Sequence, residues 1–174
     1  LRSILVTLGG EDRSGATLRV APLLGGWRPW VKKRLILGPG FRFHSKLRTT
    51  IEDFPRQNFS VKISLQSLAP LMVDSDLIMT VGGNSLCEAA CLGAPALVAY
   101  EEPHEREQGQ AFEAGGFGRC LGRGSSLGRK KLIEALEAMD DPGIRRRHSS
   151  AGRRIVDGRG SERLIVELKR TCGL

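Results

Sequence analysis

Apolar residues fall along this chain in two rhythms. Short apolar runs rich in Val, Ile and Leu occur at Ile4–Leu8, Leu35–Leu37, Val61–Ile63, Leu77–Val81 and Ala96–Ala99, with a weaker one at Arg119–Leu121. Runs of this length without polar alternation are the pattern of strands buried on both faces. Between them lie stretches of helical period, at about Ser14–Leu24, Ser45–Glu52, Leu68–Asp74, Ser85–Leu92, Glu105–Ala114 and Leu127–Met139, each with an apolar stripe and a polar face. Strands that alternate with helices need crossovers that return along the sheet. The pattern therefore predicts an α/β domain built on a doubly wound, parallel, six-stranded, Rossmann-like sheet. Asp141-Pro142-Gly143 reads as the stop of the sixth helix, followed by a basic segment with no assigned element. After Asp157-Gly-Arg-Gly160, Ser161–Arg170 reads as a closing helix with Leu164, Ile165 and Leu168 turned inward.

The 174 residues fit one domain with a real core. The first strand follows almost at once on Leu1, so the chain is expected to be a piece of a longer polypeptide. No apolar run reaches the roughly 18 to 20 residues that span a bilayer, which predicts a soluble protein without a transmembrane segment. Cys87, Cys91, Cys120 and Cys172 form no C-x-x-C pair; they read as packed thiols of a protein in a reducing cytoplasm. The net charge is +8, and the stretch from Arg145 onward carries nine Lys and Arg against three Asp and Glu. That tail has no aromatic residue after Phe117 for stacking bases, so no nucleic-acid partner is expected.

A doubly wound sheet binds ligands beyond the carboxyl ends of its strands. Two glycine-rich turns compete for that place. "LGGEDRSGAT" (Leu8–Thr17) nearly spells a P-loop, but Ala16 stands where the phosphate-binding lysine belongs, and no acid is placed to hold a dinucleotide's ribose. "TVGGNSLCEAACLGAP" (Thr80–Pro95) puts Gly82 and Gly83 between a strand and a helix. Glycines there let a ligand approach the backbone, and the N–H groups of Asn84, Ser85 and Leu86 at the helix start favour an anion such as a pyrophosphate. Glu88, one turn on, suits a pair of sugar hydroxyls. The same residues also spell a capping box, Ser85-x-x-Glu88, which would bind nothing.

The stretch from Leu65 to Gln110 resembles the nucleotide-binding half of two-domain GT-B sugar enzymes, a group that includes the UDP-sugar hydrolase of pseudaminic acid synthesis and the spore-coat polysaccharide proteins. The similarity extends to the "VTLGG" opening and the "DGRGSER" close. It implies a UDP-sugar as ligand, with Gly82, Gly83, Asn84 and Ser85 at the diphosphate, Glu88 on the ribose and the Leu65 main chain on uracil. It also implies that Glu107 and Gln108 touch the donor sugar and that Gly9 and Gly10 form a loop facing the other domain. Three positions depart from the group's pattern: Asn84-Ser85 replaces a commoner Ser-Thr, Cys87 an aromatic, and Glu107 an amide. No cofactor or metal is implied. The catalytic base and acceptor pocket are expected in an N-terminal domain outside this chain. A non-catalytic nucleotide-binding module of the same fold is the alternative reading.

Overall fold

The computed structural model describes residues 1–173. Six strands, β1 (Ser3–Thr7), β2 (Lys32–Leu37), β3 (Phe59–Ile63), β4 (Leu77–Thr80), β5 (Ala96–Tyr100) and β6 (Arg119–Arg123), form one parallel sheet in the order β3-β2-β1-β4-β5-β6. The order reverses between β1 and β4, which places a crevice at that point beyond the strand ends. The central strands β1 and β4 are buried throughout, as their unbroken apolar runs require.

The crossovers are α1 (Ala16–Gly25), α2 (His44–Glu52), α3 (Ala69–Val73), α4 (Asn84–Leu92), α5 (Pro103–Ala114) and α6 (Arg129–Ala138). They divide the core into two layers. Val6, Leu24, Leu35, Leu77 and Leu132 pack on one face of the sheet, and Leu5, Ile78, Leu86, Val98 and Phe117 on the other. Trp27 is buried in the first layer, while Trp30 is 69% exposed. The cysteines are free; Cys87, Cys91 and Cys120 are half-buried rather than sealed in the core, and Cys172, expected to be packed, is exposed because it lies on the uncovered closing helix. No helix among the described residues is long and apolar enough to cross a membrane.

Two expectations for the tail need correction. The basic segment is a helix, α7 (Pro142–Ile155), because Asp141-Pro142-Gly143 ends one helix and starts the next. Asp141 accepts from the N–H groups of Gly143 (2.6 Å) and Ile144 (3.4 Å), and Pro142 occupies the first turn, where its missing N–H costs nothing. Some of the basic charge has internal work. Arg145 donates to the Met139 and Asp140 carbonyls at the end of α6, and Arg153 to the Leu92 carbonyl at the end of α4, where the helix dipole favours a cation. The closing helix α8 (Gly160–Cys172) buries no residue: Leu164, Ile165 and Leu168 are 52% to 60% exposed. Its stripe has the period expected of a packed helix, yet none of the described elements covers it.

Candidate functional site

The turn from β1 into α1 is closed by the chain itself. Gly9 and Asp12 both take positive φ (95° and 43°), which folds the loop back so that the Asp12 carboxylate accepts from Ala16 N–H at 2.7 Å and Thr17 N–H at 2.8 Å. Asp12 is buried, and burial pushes its carboxyl up while the bonds from Thr17 and Ala16 pull the other way. The N-terminus of α1 thus already holds an anion. Gly10 is pinned on its outer side: its carbonyl accepts from Gly40 N–H at 3.0 Å, and a Cβ on Gly38 would lie 2.1 Å from that same oxygen.

The turn from β4 into α4 is open. Gly83 sits at φ 93° and ψ −156°, a conformation essentially reserved for glycine, and no atom lies within 4 Å of where its Cβ would be. Gly82 is needed for a different reason, since its Cβ would meet the Glu105 Cα at 2.5 Å. α4 has no side-chain cap. The capping box of Ser85 and Glu88 is not made, because the helix begins at Asn84 and leaves Ser85 inside the first turn. Leu86 N–H is taken by the Gly83 carbonyl at 3.2 Å, contrary to the expectation that it points outward. The N–H groups of Asn84 and Ser85 have no intramolecular partner among the described residues.

Four chain segments meet beside this turn around a cleft of about 180 Å³. The end of β1 brings Gly9 and Gly10, the end of β2 brings Leu37 to Pro39, the end of β3 brings Ser64, Leu65 and Leu68, and α4 brings Ser85. Ser64 holds a left-handed φ of 51° with its N–H bonded to the Leu37 carbonyl at 2.9 Å. The chain turns sharply there, and the N–H and C=O of Leu65 are left without an intramolecular partner among the described residues. The sequence carries no mark of that strain, since Ser64 is not one of the residue types that readily take positive φ.

The remaining candidates fall outside the cleft lining. Glu88 is exposed on α4, with no ion pair among the described residues, one turn beyond Ser85. The structure separates Glu107 from Gln108. Glu107 lines a neighbouring cleft of about 390 Å³ with Tyr100, Arg106 and Arg123, whereas the Gln108 oxygen accepts from Gly83 N–H and its nitrogen donates to the Cys87 sulfur at 3.3 Å. Burial pushes the Cys87 thiol up, so it stays protonated. His104 is exposed at the start of α5. The roles of Asp12 and Cys87 were not read from the sequence, although an acid four and five residues before Ala16 and Thr17 is a usable capping signal.

No family model matches the chain. It is similar to the spore coat polysaccharide biosynthesis protein SpsG of Bacillus subtilis, 28% identical over 172 residues, which cover 97% of this chain and 50% of that protein. The chain therefore spans half the length of that relative. The fold superposes on MurG of Acinetobacter baumannii with a TM-score of 0.80 at 14% identity, covering 97% of this chain and 50% of that one. It also superposes on the UDP-GlcNAc 2-epimerase of Neisseria meningitidis bound to UDP-GlcNAc, with a TM-score of 0.59 at 22% identity, covering 90% of this chain and 44% of that one. The six-stranded Rossmann-like architecture expected from the sequence is thus present, and it superposes on half of the MurG chain.

Proposed function

We propose that this chain is the donor-binding domain of an enzyme that cleaves a UDP-sugar, by hydrolysis or by transfer to an acceptor hydroxyl, in the building of a surface polysaccharide. The observation that carries the reading is the uncapped start of α4, where Asn84 and Ser85 offer free N–H groups beside a cleft at the sheet's reversal point. A diphosphate there receives two backbone donors and the positive end of the helix dipole. Uracil, reaching toward β3, meets the unpaired main chain of Leu65, and Glu88 accepts from the ribose hydroxyls. The similarity to a spore coat polysaccharide protein and to a fold that elsewhere holds UDP-GlcNAc supports the choice of ligand.

In the reaction, the bond between the sugar's anomeric carbon and the β-phosphate oxygen breaks, and its electron pair stays on the departing UDP. A new bond forms from water or an acceptor hydroxyl, whose proton passes to a base. This domain's part is to orient the diphosphate and stabilise the charge that grows on it. The base and the acceptor pocket are assigned to a further domain. Calorimetry with UDP tests the reading, with dissociation in the micromolar range expected and GDP weaker. Absence of heat with UDP and with UDP-GlcNAc, on folded protein, contradicts it.

A further inference from the structure

The Gly83 N–H adjoins those of Asn84 and Ser85 at the open head of α4, yet it is not free, because the Gln108 carboxamide oxygen of α5 accepts from it. The carboxamide is held at its other end by the Cys87 thiol of α4 at 3.3 Å. This pairing fixes its orientation: the amide N–H of Gly83 requires the oxygen, which leaves the nitrogen for sulfur. α5 therefore grips the turn twice, through Glu105 against Gly82 and through Gln108 against Gly83.

On the reading that this turn receives a diphosphate, we propose that Gln108 competes with the ligand for the Gly83 N–H and so keeps spent UDP loosely held. A phosphoryl oxygen belongs to an ionised group and makes a hydrogen bond roughly twice as strong as a neutral carboxamide does. UDP can therefore displace Gln108, but each binding event gives up the bond already present. Asn84 and Ser85, which have no such competitor, take the ligand without this loss. The consequence is a site that holds the diphosphate in the right place yet releases the leaving nucleotide readily.

The test combines calorimetry with the amide resonance of Gly83 in glycine-labelled protein. Gln108→Leu, which removes the competing oxygen, is expected to bind UDP about two- to tenfold more tightly, the size of one net hydrogen bond. Cys87→Ala, which frees the carboxamide's other end, is expected to move affinity the same way by less. In the unsubstituted protein the Gly83 amide is expected to shift on UDP binding as its acceptor changes, a readout that does not depend on any variant folding. If the unsubstituted protein binds UDP but Gln108→Leu binds it more weakly, or the Gly83 amide stays put, Gln108 is a prop for the turn and the proposal fails. If the unsubstituted protein does not bind UDP, the functional reading itself falls, and this proposal with it.

Discussion

Two glycine-rich turns lead from strands into helices on the same edge of the sheet, β1 into α1 and β4 into α4, and they end in opposite states. Each contains a glycine with positive φ, Gly9 in one and Gly83 in the other, and each delivers the N-terminus of a helix. At α1 the chain supplies its own anion, with Asp12 accepting from Ala16 and Thr17. At α4 it supplies none: no side chain accepts from the helix start, and the N–H groups of Asn84 and Ser85 stay free among the described residues. Glycine content therefore does not distinguish the two turns. What distinguishes them is whether a carboxylate of the chain already occupies the helix start.

The largest effect is expected from forcing a side chain into the open turn. Gly83→Ala must hold alanine at φ 93°, at a cost of about 1–3 kcal/mol, and should also misalign Asn84 and Ser85. Thermal unfolding and UDP calorimetry should both deteriorate; an unchanged UDP affinity would sever the turn from the ligand. Asp12→Ala should cost about 1–3 kcal/mol in denaturant unfolding, since it strips two helix N–H groups of their acceptor, and yet leave UDP affinity as it was. A loss of UDP binding in that variant would mean that the closed turn had been mistaken for a bystander. Glu88→Ala should lower UDP affinity about tenfold, equivalent to about 1.4 kcal/mol, with little change in stability, because Glu88 is exposed and caps nothing.

The smallest expected effect is in pH. Burial raises the Asp12 carboxyl above its unfolded value, so the folded state holds that proton more tightly. Asp12 then contributes most below its unfolded pKa, and that contribution is lost as pH rises through its folded pKa. Compared with Asp12→Asn, the unsubstituted protein should lose stability as pH climbs through the carboxylate range, measured by denaturant midpoints. A difference that ran the other way would mean that the bonds from Ala16 and Thr17 outweigh burial.

Sequence pattern was enough to place the strands, and β1 and β4 are buried as unbroken runs require; the edge strand β3 corrects the expectation of burial on both faces, since Val61 and Ile63 flank Lys62 and are 43% and 53% exposed. Of the residues that the family resemblance grouped, Gly9, Gly10, Leu65 and Ser85 line one cleft, and Gly82 and Gly83 form the turn beside it. Details set by a single residue of register were not legible. The helix starts at Asn84, and that one position removes the Ser85 and Glu88 capping box. Asp141-Pro142-Gly143 marks a helix start as readily as a helix stop, and the sequence does not say that it does both. Glu107 and Gln108 are neighbours in the chain but point different ways, Glu107 into the cleft beside Tyr100 and Gln108 onto Gly83 and Cys87, since consecutive helix residues lie about 100° apart. The stripe Leu164, Ile165 and Leu168 was expected to turn inward and is exposed instead, because periodicity alone does not supply an element to cover it.

A crystal structure of the chain with UDP bound tests the central claim most directly. The account predicts diphosphate oxygens within about 2.7–3.2 Å of the Asn84 and Ser85 nitrogens, with uracil against the Leu65 main chain. Diphosphate bound instead at Ala16 and Thr17, or among the arginines of α7, would contradict it.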